Sequence, residues 1–107
     1  MNGEQSVGNL IREARELAGT TLSLFAVMLK VSPATISHLE RDGLGSNGLV
    51  VHALQLTARL LAEKYSVSYE ERWTCEGCIE ELKMVIVFCR VGDLEASIRT
   101  LPPSAGA

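Results

Sequence analysis

Three cysteines carry the most reactive chemistry in this chain: Cys75, Cys78 and Cys89, in the pattern C-x2-C-x10-C. Thiolates so spaced could hold a metal or an iron–sulfur group, and Cys75 with Cys78 could cycle as a redox pair. A zinc site draws four ligands, commonly as two close pairs, and the second pair is incomplete here. No histidine or carboxylate stands at a telling spacing to complete it. The alternative is that the thiols pack as small hydrophobes. Cys75, Cys78, Leu82, Val85 and Cys89 recur at 3-4-3-4 spacing on one helical face, flanked by Ile79 and Ile86. That reading is preferred, and neither metal nor cofactor is expected. Catalytic constellations are also missing: there is no H-E-x-x-H and no nucleophile beside an evident base, and GLGSNG (43–48) fits neither phosphate-binding fingerprint. An enzyme is not expected.

A second chemistry, hydrogen bonding to nucleic acid, is spread between Thr21 and Arg41. The stretch reads as two short helices joined by a tight turn. Ala26 is small enough for a steep helix crossing, Val31 lines the inner side of the turn, and Ile36 pins the second helix from behind. Such a pair can lay one helix across a DNA backbone and put the next into the major groove.

Residues Leu10 to Leu61 resemble the Cro/repressor-type (XRE) helix-turn-helix proteins of phages, plasmids and bacterial chromosomes. The best segment is Ala26-x-x-Leu29-x-Val31-Ser32-x-x-x-Ile36-Ser37-x-x-Glu40. The resemblance implies an ion pair between Arg15 on the first helix and Glu40 at the end of the reading helix. It also implies groove-facing roles for Pro33, Ala34, Ser37 and His38, and phosphate contacts for Ser32, Thr35 and Arg41. Two positions depart from the family pattern. Lys30 stands where glycine is usual, at a left-handed turn. Leu22 replaces the usual Gln, leaving Thr21 and Ser23 to make the positioning contact. The reading surface is lightly polar: Ala34 can touch a thymine methyl and His38 can donate to guanine N7 or O6.

Around that motif the chain lays out helices. Leu10, Ala14 and Leu17 mark one over 7–18, stopped by Gly19; Thr21 caps the next, over 22–29; Ser32 caps a third that starts at Pro33. Asp42–Gly48 is a glycine-rich loop, and Asn47 is expected to cap a helix over 48–64. Ser68 is expected to cap a short helix over 69–73. Residues 75–91 read as helix, with a strand at 84–88 (MVIVF) as the alternative. Asp93 is expected to cap a last short helix carrying Leu94, Ile98 and Leu101, ended by Pro102 and Pro103. The expected fold is all-α: a five-helix lambda-repressor-like DNA-binding domain over 1–73 and a helical dimerisation segment over 74–107. The dimer contact is expected from Ile79, Leu82, Val85, Ile86 and Cys89, since 75–91 holds more apolar residues than one face of a small monomer buries.

Composition agrees with these expectations. Apolar residues are 47% of the 107, and no run of about 18 could span a membrane. The first residues, MNGEQSVGN, do not read as a secretion signal, so a cytoplasmic protein of bacterial, plasmid or phage origin is expected. Residues 1–65 carry six basic and six acidic groups, so the net charge of -3 sits entirely in the remainder. The expected function is a dimeric, sequence-specific repressor that binds double-stranded DNA at a palindromic operator, with its own gene among the candidate targets. The alternatives are an antitoxin whose acidic C-terminal segment also grips a toxin, a helix-turn-helix interaction module, and a cysteine-based metal or redox sensor.

Overall fold

The computed structural model describes residues 6–43 and 47–99. It is all-α, with helices α1 (Val7–Leu17), α2 (Leu22–Leu29), α3 (Pro33–Asp42), α4 (Asn47–Tyr65) and α5 (Cys75–Arg99). Local chemistry sets most starts. Side-chain oxygens of Ser6, Thr21 and Ser32 accept from Asn9, Leu24 and Thr35 backbone N–H groups at 3.1, 3.1 and 3.2 Å. Thr74 does the same for α5, accepting from Gly77 N at 3.0 Å. Each satisfies a donor that the first helical turn would otherwise leave without a partner. The helix after the glycine-rich loop begins at Asn47 itself. Positions 44–46 of that loop, and the stop at Leu101–Pro103, lie outside the described residues.

One core unites all five helices. Leu10, Ile11 and Ala14 of α1, Phe25 and Ala26 of α2, and Ile36 and Leu39 of α3 join Leu54, Ala58 and Leu61 of α4. Cys78, Leu82, Val85, Ile86 and Cys89 of α5 belong to the same cluster. The contact of α4 with α5 is the most extensive between any two helices. Thr57, fully buried in α4, donates its hydroxyl to the Ala53 and Leu54 carbonyls, so no polar atom is stranded there.

Three expectations along the C-terminal half are corrected. No helix forms over 69–73; the chain from Val67 to Trp73 is neither helix nor strand. Val67 and Tyr69 lean on the core while Ser68 and Glu70 face out, a period of two rather than 3.6. Side chains hold the backbone of this run in place: Gln55 Nε2 donates to Arg72 O at 2.6 Å, and Glu70 N donates to Glu81 at 2.8 Å. Residues 84–88 are helical, so the strand alternative fails. Asp93 caps nothing, because α5 continues through it to Arg99; its carboxylate accepts instead from the Tyr65 hydroxyl at 3.1 Å. Among the described residues no single helix is long and apolar enough to cross a membrane.

Candidate nucleic-acid interface

The axes of α2 and α3 meet at 104°, inside the range of about 90–120° typical of a helix-turn-helix. The corner between them turns on Lys30, whose φ of 60° and ψ of 41° place it in the left-handed region. Its backbone N–H donates to Val27 O, and that of Val31 donates to Ala26 O, closing α2. A lysine therefore holds a conformation that glycine adopts without strain.

Core contacts fix which face of α3 is free. Ile36 and Leu39 are buried behind it, while Ser32, Pro33, Ala34, Thr35, His38 and Arg41 are exposed and Ser37 is half-buried. Thr21 and Ser23 are exposed at the start of α2. The hydroxyls of Thr21 and Ser32 accept from the helix N-termini they cap, leaving their O–H groups as donors toward an anion. Thr35 Oγ1 lies 2.9 Å from Ser32 Oγ, so these two hydroxyls act together at the start of α3.

Helix α3 is anchored at its far end by a buried pair. Arg15 Nε donates to Glu40 Oε2 at 2.7 Å and Nη2 to Oε1 at 3.1 Å, while Nη1 donates to Thr20 O at 2.9 Å. This two-pronged geometry is the strong form of a charge-assisted hydrogen bond. Both side chains are at most 10% exposed. Sequence reasoning placed this pair but missed its neighbour. Gly8 sits where α1 crosses α3, and a Cβ there would stand 2.5 Å from Leu39 O and closer still to Glu40 O. Nothing in its local sequence marks that approach, which depends on tertiary packing.

Asp42 was also missed, although its four-residue offset from His38 is visible in the sequence. His38 Nδ1 lies 2.9 Å from Asp42 Oδ2, and Arg41 Nε lies 3.4 Å from the same oxygen. One carboxylate thus ties together both polar side chains at the end of α3. With the Nδ1 proton committed to Asp42, neutral His38 offers Nε2 as an acceptor, suited to adenine N6 or cytosine N4. Donation to guanine requires a ring that carries both protons.

The cysteines pack against the core as small hydrophobes, as preferred above, whereas the residues expected at the dimer contact lie elsewhere than expected. Cys75 is half-buried, Cys78 and Cys89 are buried, and all three are free. From Cys78 to Cys89 is eleven residues along one helix, about 16 Å, so the three cannot share one ion. No group of three His, Cys, Asp or Glu side chains converges on a metal site among the described residues. The Cys78 thiol donates to Arg72 O at 3.4 Å, and burial, then the charge of Cys75, pushes its pKa up. Burial does the same to Cys89, reinforced by Asp93 and opposed by Lys64. Leu82, Val85, Ile86 and Cys89, expected between subunits, are at most 5% exposed within this single chain, and Ile79 is half-buried against the same core. They are core residues because α4 covers that face.

Residues 11–45 match the family model described as helix-turn-helix, a span running from α1 through the end of α3. Comparison with curated proteins and with solved structures finds no match.

Proposed function

We propose that this chain, whose residues 11–45 match a helix-turn-helix family model, is a DNA-binding regulator of the Cro/repressor type that acts as a dimeric repressor on a palindromic operator. One observation carries this reading: α3 is pinned by Ile36, Leu39 and the Arg15–Glu40 pair, yet presents Ser32, Pro33, Ala34, Thr35, His38 and Arg41 to solvent. A helix held rigidly from behind with its outer face free can be offered to a groove without refolding. Ser32, Thr35, Thr21 and Ser23 position the backbone, with Arg41 adding charge; Pro33, Ala34, Ser37 and His38 meet base edges.

The mechanism is steric: a bound dimer covers a promoter and excludes the polymerase, in the cytoplasm of a bacterium and from a chromosomal, plasmid or phage gene. The segments 1–73 and 74–107 divide by role, the first reading DNA and the second pairing chains. Because the reading face has a single cation, Arg41, affinity depends on two half-sites bound together and on DNA shape as well as base contacts. Selection of bound duplexes from a random pool tests the proposal. A palindrome is the expected product, and His38→Ala should relax one position in each half. Recovery of no preferred sequence, from a sample shown to be folded, would sink it.

A further inference from the structure

Helix α5 is apolar on two faces, and only one is covered. Opposite the buried stripe, Met84, Val87, Val91 and Leu94 recur at 3-4-3 spacing and remain 47–62% exposed. Phe88 stands beside them, itself 52% exposed. It separates two hollows. One, of about 380 Å³, is lined by Tyr65, Val67, Ser68, Phe88, Val91 and Gly92; the other, of about 200 Å³, by Lys83, Met84, Val87 and Phe88. Gly92 keeps the larger hollow open at one end, since no atom lies within 4 Å of where its Cβ would be.

We infer that this face binds the same face of a second copy, with the two α5 helices antiparallel. The 3-4-3 repeat is the seam of a helix pair, in which each side chain enters a gap on the facing helix. Projection and hollows lie on one surface, so a two-fold axis satisfies both copies at once and closes the assembly. The charges around this face are of both signs, with Glu80 at the end of the seam and Lys83 and Arg90 along its side, all exposed. A single-sign partner such as an anionic membrane or a nucleic acid therefore finds no match there.

Charge also selects the direction. Glu80 is on the seam, one turn before Met84. Parallel helices would press two Glu80 carboxylates together. Antiparallel helices set Met84 against Leu94 and Val87 against Val91, and hold the two Glu80 residues about 27 Å apart along the axis. This inference names the partner and surface for the dimer proposed above, and its test needs no DNA.

Sedimentation equilibrium of the full chain should give a dimer at micromolar concentration. Val87→Asp and Val91→Asp should each give a monomer with unchanged helical circular dichroism, because both side chains project outside the core. In a Cys75→Ser background, Met84→Cys with Leu94→Cys should form a covalent dimer under copper–phenanthroline oxidation, while Met84→Cys alone should not. A monomeric wild type, or a Val87→Asp variant as dimeric as wild type, overturns the surface. Cross-linking by Met84→Cys alone overturns the antiparallel arrangement. Weak half-site binding retained by monomeric Val87→Asp separates loss of pairing from loss of DNA reading.

Discussion

Arg15 grips Glu40 through two parallel hydrogen bonds across the interface between α1 and α3, and the same guanidinium caps the Thr20 carbonyl. The attitude of α3 is therefore set by a group twenty-five residues away. Glu40→Ala leaves the guanidinium buried with one partner. The expected loss is about 3–5 kcal/mol, most of it the cost of an unpaired buried charge. Urea unfolding measures it. Arg15→Met combined with Glu40→Leu should return close to wild-type stability, because two apolar groups leave no charge stranded.

Gly8→Ala puts a methyl group against the Leu39 and Glu40 carbonyls, which are helix backbone and cannot swing aside. Separating α1 from α3 should lower stability by about 1–3 kcal/mol, the usual range for overpacking. A thermal midpoint equal to wild type would show that the two helices are not so closely set.

Lys30→Gly should raise stability. The left-handed conformation costs a side-chain-bearing residue about 1–2 kcal/mol, partly offset by the greater freedom of glycine in the unfolded chain. A net gain of about 0.5–1 kcal/mol is expected in the same urea titration, and a loss would mean that the lysine side chain makes a compensating contact.

Much of this was readable in the sequence wherever a local rule decides. Thr21, Ser32 and Pro33 start their helices by capping and ring geometry, and Ala26, Val31 and Ile36 give the helix-turn-helix by size and spacing. Even the need for a left-handed residue at Lys30 was visible despite the wrong residue type. The orientation of α5 was not. Its apolar residues surround the helix, so periodicity shows that it is helical in part but not which stripe meets α4. The non-helical run from Val67 to Trp73 had a readable signal in the alternation of Val67 to Glu70, outweighed by a serine that looked like a cap. Gly8 had none, because its constraint comes from a chain segment more than thirty residues away.

Asp42 restrains the two polar groups that the proposed interface most needs. Asp42→Ala should release His38 and Arg41 and remove a negative charge that would face phosphate. At low salt the affinity for the selected duplex should rise about two- to fivefold, with the advantage shrinking as salt screens it. Fluorescence anisotropy titrations at two salt concentrations check this, and weaker binding at both would mean that Asp42 aligns His38 productively.

Alkaline pH should unfold the protein earlier than its helices alone would suggest. Burial raises the pKa of Cys78 and Cys89 above the ordinary thiol value of 9.0. Burial and the hydrogen bond to Asp93 raise that of Tyr65 above 10.0. As pH climbs past those ordinary values the unfolded chain releases protons first, so it binds fewer than the native state and stability falls. The stabilisation is complete below about pH 9 and is lost as pH rises through the native values. Chemical denaturation across that window should show the decline, with a shallower slope in Cys89→Ala.

The run from Val67 to Trp73 looks like a place to cut the molecule in two, yet it joins halves that share one interior. Leu54, Ala58 and Leu61 of α4 share one core with Leu82, Val85 and Cys89 of α5, and Arg90 ties back to Glu13 of α1. A protease acting on that run would release no free-standing head able to occupy DNA alone. It would open the common interior and commit both fragments to degradation. Clearance of the protein and loss of the proposed DNA occupancy would then be one event.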